Sequence, residues 1–144
     1  MDISQEQLAA VNQNPLYKNV GIELLELGGG QAVSRLTANP QVCWPFPGQP
    51  HGGMLFTIMD TTMAWAYLTT LPDGRNCTTI DLSIQYTAPA RKGPFTCLAK
   101  VAHAGGRTGF IRAEVKDLDG LLVASGQGAF RAIDFDMFAE SPAA

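Results

Sequence analysis

The longest apolar stretch of the sequence runs from Gly52 to Leu71 and reads GGMLFTIMDTTMAWAYLTTL. Its length approaches the roughly 20 residues that a helix needs to cross a bilayer. However, Asp60 stands at its middle, where a carboxylate costs about 2.5–3.5 kcal/mol on membrane-insertion scales. No Lys or Arg closely flanks the stretch. It therefore predicts one long helix inside a protein core, and the fold must bury it.

After this helix the pattern of apolar residues changes to a period of two. From Thr78 to Thr87 apolar and polar side chains alternate, which predicts a half-buried strand. Further strand-like runs follow, joined by Ala104-Gly105-Gly106 and by Asp119-Gly120, both of which are hairpin signals. These runs are Phe95–His103, Thr108–Lys116 and Leu121–Ile133. The pattern predicts a meander of four antiparallel strands.

The segment before the long helix begins with a capping box, Ser4-x-x-Gln7, which predicts a short N-terminal helix. Asn14-Pro15 is expected to end that helix. Two strand-like runs flank three glycines and predict a hairpin, and the prolines of residues 39–50 predict an irregular loop. The predicted bounds are residues 5–13 for the helix, and Gly21–Leu27 and Gln31–Ala38 for the strands.

These elements indicate the α+β class, with a curved antiparallel sheet of five to six strands wrapped around one long central helix. The length of 144 residues fits a single domain. Charged residues make up 16% and hydrophobic residues 46%, which excludes a disordered chain. We expect the core over residues 15–133 and an acidic tail over residues 134–144.

Charge, cysteines and motifs exclude several classes of function. A net charge of −3 gives no electrostatic support for a nucleic-acid partner. The three cysteines are scattered without C-x-x-C, so neither a disulfide framework nor a zinc site is predicted. No P-loop, dinucleotide fingerprint or G-x-S-x-G motif occurs, and we expect no cofactor. The start of the sequence lacks a signal-peptide pattern, so a cytoplasmic protein is expected.

His51-Gly52-Gly53 stands where the proline-rich loop meets the long helix. The N-terminus of a helix leaves backbone N–H groups unpaired, and glycine allows a ligand oxygen to approach them closely. The pattern suits an oxyanion site. It is equally consistent with a tight turn that has only a structural role.

Asp60 is the only charged residue between His51 and Leu71. Thr57, Asp60, Thr61 and Ala64 would share one helix face, forming a narrow polar stripe of small residues. Asp60 could be a general base or a nucleophile, or a structural carboxylate satisfied by nearby hydroxyls. We favour the functional interpretation, because helix stability alone would prefer Ala or Leu.

Two features of this helix predict a homodimer. Gly52 and Asp60 are eight residues apart, about 12 Å along a helix, so one substrate can meet both only if two chains supply them. In addition, the helix is apolar all round, and a single curved sheet is expected to cover only half of it. We expect a partner to bury the remainder of its large side chains, which are Phe56, Met59, Met63, Trp65 and Tyr67.

At these residues the sequence resembles the hotdog-fold acyl-CoA thioesterases of the phenylacetate-degradation type. The resemblance rests first on H-G-G opening a long helix, with an acidic residue nine positions after the histidine. It extends over about residues 15–133. The other matching segments are residues 79–86 (TIDLSIQY), 89–93 (PARKG), 106–108 (GRT) and 123–131 (VASGQGAFR).

The resemblance implies a hotdog fold and hydrolysis of an acyl-CoA or aryl-acyl-CoA thioester, with coenzyme A as part of the substrate. The Gly52 N–H would polarise the thioester carbonyl, and His51 would order its loop. Asp60 of the other subunit would activate water or attack directly, with Thr79 helping to place the water. A homodimer or a dimer of dimers is expected.

Substrate contacts are assigned to two further groups of residues. Gly53, Thr61 and Tyr86 are expected near the acyl group; Trp44 and Phe46 either wall that pocket or anchor their loop. Residues 75–131 carry eight basic and four acidic side chains, which suits a phosphate-bearing ligand such as coenzyme A. The residues expected at the nucleotide end are Arg91, Lys92, Gly106 and Arg107.

One departure from the family pattern keeps a second function open. The family often has N-x-x-G-x-x-H, and here Gly48 and His51 match while Pro45 replaces the asparagine. A protein of the same fold that binds acyl-CoA without hydrolysing it is therefore an alternative. An enoyl-CoA hydratase relative ranks third, because no D-x-x-x-x-H spacing is present.

Overall fold

The central helix is the element around which the other parts of the structure are arranged. The computed structural model describes residues 1–135. Its helices are α1 (Gln5–Val11), α2 (Pro15–Val20), α3 (Pro40–Cys43) and α4 (Gly52–Leu68). Its strands are β1 (Ile22–Gly28), β2 (Gln31–Leu36), β3 (Arg75–Tyr86), β4 (Phe95–Gly105), β5 (Thr108–Lys116) and β6 (Leu122–Asp134). The predicted acidic tail lies outside the described residues from position 136 onward.

The predicted α+β architecture is confirmed. Six strands form one antiparallel sheet in the order β1-β2-β4-β5-β6-β3, and α4 packs against its inner face. Helix residues at spacings of three and four, such as Ile58, Met59, Thr62 and Met63, are completely buried there. The opposite stripe, from Thr57 to Ala64, is only partly buried. The predicted polar stripe therefore lies outside the fully buried face of the helix, beside the edge strand β3.

The predicted four-strand meander is wrong in one respect. Strands β4, β5 and β6 are consecutive neighbours, but β3 pairs with β6 and forms an edge of the described sheet. The connection from β3 to β4 spans residues 87–94 and contains Pro89 and Pro94, so it is no tight hairpin turn. Periodicity identified the strand, but it carries no information about the pairing partner.

Two short helices were not predicted. Asn14 caps α2 by accepting a hydrogen bond from the Leu16 N–H, so Pro15 begins a helix at its first position instead of ending one. In the same way, Asn39 caps α3, within the loop that was expected to be irregular. Asn-Pro is a signal for a helix start as well as for a helix end.

The prediction that a partner must bury the large side chains of α4 is also wrong. Met59, Met63, Trp65 and Tyr67 are at most 4% exposed within one chain, and only Phe56 is exposed, at 37%. Helix α2 supplies part of this cover, since the Trp65 indole N–H donates to the Tyr17 hydroxyl at 3.0 Å. Among residues 1–135 no helix is long and apolar enough to cross a membrane.

Candidate active site

The N-terminus of α4 presents one backbone N–H group that is free to bind a ligand. His51 is the N-cap, and its Nδ1 accepts a hydrogen bond from the Gly53 N–H at 2.8 Å. The His51 carbonyl accepts from the Met54 N–H, and the His51 N–H donates to the Cys43 carbonyl. Within residues 1–135 the Gly52 N–H has no hydrogen-bond acceptor. It is an available donor at the positive end of the helix.

A cleft opens in front of this donor. Tyr86, at the end of β3, donates its hydroxyl hydrogen to the Gly52 carbonyl at 2.8 Å and leaves its ring half exposed. The cleft has a volume of about 560 Å³, and Gly52, Leu55, Tyr86 and Arg91 are among the residues that line it. A thioester carbonyl could enter here and reach the Gly52 N–H.

Asp60 lies in the partly buried stripe of α4 and interacts with β3. The Thr79 hydroxyl donates to Asp60 Oδ1 at 2.7 Å. Burial, reinforced by the charge of Asp60, raises the pKa of the Cys77 thiol to about 12. Burial also raises the pKa of Tyr17, again with a contribution from Asp60. Both neighbours therefore stay protonated near neutral pH, and Asp60 is the base available here.

Within one chain, the two halves of the predicted site lie apart. Gly52 is grouped with His51 and Tyr86 at the start of α4, whereas Asp60 is grouped with Thr79 two turns further along. The separation along the helix is about 12 Å. A single chain therefore presents two separate candidate half-sites, one at the Gly52 N–H and one at the Asp60 carboxylate.

The aromatic residues of the loop before α4 have different environments. Trp44 packs against the core, while Phe46 is 59% exposed. Within the described part of the chain, the buried Trp44 indole nitrogen has no hydrogen-bond partner. Trp44 thus fits the role of a loop anchor. Thr61 is partly buried in the stripe beside Asp60.

The four residues expected at the nucleotide end do not come together in one chain. Arg91 lines the cleft beside Gly52, and Lys92 forms an exposed ion pair with Asp119 at 2.5 Å. Gly106 and Arg107 form the turn between β4 and β5, at the opposite end of α4. There, the nearby Gly109 backbone packs against the Tyr67 ring of the last helical turn.

Tyr17 and Cys77 are the neighbours of Asp60 that sequence reasoning missed. Interpreting Asn14-Pro15 as a helix start would have placed Tyr17 on a helix. That this helix covers α4 and brings Tyr17 close to Asp60 depends on the fold. Cys77 is two residues from Thr79 on one strand and therefore faces the same side of the sheet. Within residues 1–135 no three His, Cys, Asp or Glu side chains are grouped as metal ligands.

The comparison with family models identifies the chain. The model of the Thioesterase superfamily matches residues 48–124, more than half of the sequence. This segment contains the start of α4, Asp60, Thr79 and Tyr86. The chain belongs to the thioesterase superfamily. The resemblance noted from the sequence is confirmed, and the α4-centred sheet is the hotdog fold.

Individual proteins of known sequence or structure support this membership of the thioesterase superfamily. A Saccharolobus solfataricus protein described as a candidate esterase, SSO2140, is 30% identical over 80% of this chain and 81% of its own length. The conserved protein PA5202 of Pseudomonas aeruginosa has a TM-score of 0.78 and 34% identity, covering 90% of this chain and 99% of its own. The PaaI protein of the E. coli phenylacetic acid degradation operon has a TM-score of 0.78 and 26% identity, covering 89% and 91%.

Proposed function

We propose that the protein hydrolyses an acyl-CoA thioester to the free acid and coenzyme A, acting as a homodimer. The observation that carries this proposal is the Asp60 carboxylate, oriented by the Thr79 hydroxyl on an accessible helix face. A free Gly52 N–H at the start of the same helix supplies the matching oxyanion donor. Membership of the thioesterase superfamily supports the reaction class.

The chemistry assigns separate roles to the two half-sites. The Gly52 N–H and the helix dipole polarise the thioester carbonyl and stabilise the negative charge that develops on its oxygen. In the general-base route, Asp60 takes a proton from water as the water oxygen attacks the carbonyl carbon; the thiolate then leaves and receives that proton. In the nucleophilic route, an Asp60 oxygen attacks the carbonyl carbon and the coenzyme A thiolate leaves. Water then hydrolyses the mixed anhydride, which regenerates the Asp60 carboxylate, releases the acid and supplies the proton that the thiolate takes up.

Both routes need two chains, because about 12 Å of helix separates Gly52 from Asp60. A two-fold axis that sets two α4 helices antiparallel brings Gly52 of one chain to Asp60 of the other, giving two sites. The small side chains of the stripe, such as Ala64, would allow the helices to approach closely. The edge strand β3, with Ile80 57% exposed, offers a further contact surface on the same side of the molecule.

The cleft in front of Gly52 suggests where coenzyme A enters. Arg91 is the basic residue that lines this cleft, and it is our candidate for contacting a phosphate group. Lys92 is already paired with Asp119. Gly106 and Arg107 could take part only from the partner chain, since their own Gly52 lies at the far end of α4. The E. coli relative comes from a phenylacetic acid degradation operon, which supports the aryl-acyl-CoA esters already expected from the resemblance.

Thiol release from a panel of saturated, aryl and unsaturated acyl-CoA esters tests the proposal. At least one ester should be hydrolysed, and Asp60→Asn should lower kcat on it by about 10²-fold or more. Asn retains an oxygen that can accept from Thr79, so the fold should persist. Asp81→Asn is the matched control, because it removes an exposed carboxylate from β3, the strand that carries Thr79.

The same panel separates the alternatives. Pro45, at the position where the family often has asparagine, favours a protein that binds acyl-CoA without turnover, and that function predicts binding but no thiol release. A hydratase would instead consume enoyl-CoA without releasing thiol. Equal rates for Asp60→Asn and the parent would refute the role assigned to this carboxylate.

A further inference from the structure

The first peptide group of α4, between Gly52 and Gly53, is held by side chains at both ends. Its N–H donates to His51 Nδ1 at 2.8 Å, and its carbonyl oxygen accepts from the Tyr86 hydroxyl, also at 2.8 Å. The two side chains come from residues 35 positions apart, one at the helix start and one at the end of an edge strand. The Tyr86 hydrogen bond therefore joins the helix N-terminus to the edge of the sheet.

Both glycines fit closely against these two side chains. A Cβ atom added at position 53 would lie 2.8 Å from His51 Nδ1, and one added at position 52 would lie 3.1 Å from Cζ of the Tyr86 ring. A larger residue at either position would push one of the two side chains away. The lack of side chains at Gly52 and Gly53 thus leaves room for His51 and Tyr86 as well as for an incoming substrate.

The two hydrogen bonds offset the backbone freedom of Gly52 and Gly53. Glycine has the widest choice of backbone angles, so two consecutive glycines weaken the restraint on the Gly52 N–H, whose own peptide is held on its carbonyl side by the bond from the Met54 N–H to the His51 carbonyl. An oxyanion donor is effective only when its direction is set before the reaction. Fixing the Gly52–Gly53 peptide restricts rotation about the Gly52 backbone bonds, and so orients the N–H on their other side.

We propose that His51 and Tyr86 together form a peptide clamp that orients the Gly52 N–H as oxyanion donor. Both are positioning residues, since they act through the Gly52–Gly53 peptide. The role rests on the proposed thioester hydrolysis, and it replaces the sequence-based expectation that Tyr86 contacts substrate. It also requires His51 to be neutral, with Nδ1 unprotonated as the acceptor and the proton on Nε2.

The kinetic test uses Tyr86→Phe, which removes the hydroxyl and keeps the ring, together with His51→Ala and the double variant. Each single change should lower kcat by about tenfold and leave KM within about twofold, because the donor is misdirected while the cleft is intact. Loss of either contact frees the peptide, so the double variant should be little worse than the poorer single variant. His51→Asn should retain most activity, since its side-chain oxygen can also cap the helix.

Thr70→Ala is the matched control. Its hydroxyl donates to the Tyr67 carbonyl at 2.7 Å, the same type of bond at the other end of α4. A raised KM with unchanged kcat in Tyr86→Phe would make Tyr86 a substrate contact and overturn the clamp. Additive losses in the double variant would equally overturn it, because His51 and Tyr86 would then act independently.

A readout without substrate distinguishes failure of the clamp from failure of the proposed function. Hydrogen exchange of the Gly53 amide, followed by NMR, should be slow in the parent and clearly faster in both Tyr86→Phe and His51→Ala, with Thr70→Ala unchanged. If the parent releases no thiol from any ester, the proposed function fails and the exchange data still decide whether the clamp exists. Unchanged Gly53 exchange in Tyr86→Phe would refute it.

Discussion

Cys97, on the inner face of β4, is a titratable residue buried without any role in the site. Its side chain is completely buried, and burial raises the pKa of its thiol from 9.0 to about 12, against a small opposing effect of a hydrogen bond with Thr62. At neutral pH the thiol is protonated in both the folded and the unfolded chain. The difference in pKa between the two states therefore has no effect on the free energy of unfolding at neutral pH.

The same difference predicts a loss of stability in alkali. Between about pH 9 and 12 the unfolded chain releases the Cys97 proton while the folded chain retains it, so Cys97 alone should lower the free energy of unfolding by about 1.4 kcal/mol per pH unit, and Cys77, whose pKa is raised to the same value, should add a similar amount. Urea unfolding in reducing buffer, from about pH 8 to 10.5, measures this slope. Cys97→Ala should be less stable at pH 8 yet show a flatter decline, and parallel slopes would contradict the prediction.

At the level of elements, the contact between α4 and β6 depends on glycine. A Cβ atom at Gly126 would overlap Met59 Sδ and would lie 2.6 Å from the Ser83 backbone carbonyl on β3. The methionine can adjust, but the strand carbonyl is held by its ladder. Gly126 therefore lets α4 approach the part of the sheet that carries the edge strand.

Gly126→Ala should lower the free energy of unfolding by about 1–3 kcal/mol, because overpacking forces α4 or β3 to shift. Chemical denaturation measures the change. Gly105→Ala is the matched control in another strand, where the added carbon would meet only the movable end of the His103 side chain. Equal destabilisation by the two variants would show that the loss comes from the glycine backbone and not from the contact with α4.

At the scale of the whole molecule, the proposed site exists only in a dimer. A mixed dimer of an Asp60→Asn chain and a Gly52→Val chain carries both lesions in one site and none in the other. Valine at position 52 would collide with the Tyr86 ring and block the donor. Each variant alone should be inactive.

Refolding the two variants together at equal amounts should restore about a quarter of the parent activity, since half of the dimers are mixed and each has one intact site. Thiol release before and after co-refolding measures this recovery, with each variant refolded alone as the control. Well-folded mixed dimers that remain inactive would place Gly52 and Asp60 in the same chain's site. A recovery would exclude that arrangement.

Local patterns determined most of the elements of this protein. The apolar window identified α4, the single charge within it identified Asp60, and the alternation of residues 78–87 identified β3. These features could be predicted because burial on one face imposes a period on the sequence within a single element. The glycines after His51 marked the start of α4 for a similar reason, since the backbone conformation and packing there are local.

Only the tertiary structure decided which elements meet. That β3 pairs with β6, that Tyr17 on α2 covers Trp65, and that Thr79 reaches Asp60 are contacts between distant parts of the chain. A strand has the same period whichever neighbour it pairs with, and a hydroxyl has the same sequence signature whether or not it finds a carboxylate. Tyr86 shows this best, because its bond to Gly52 depends on the packing of a whole sheet against one helix.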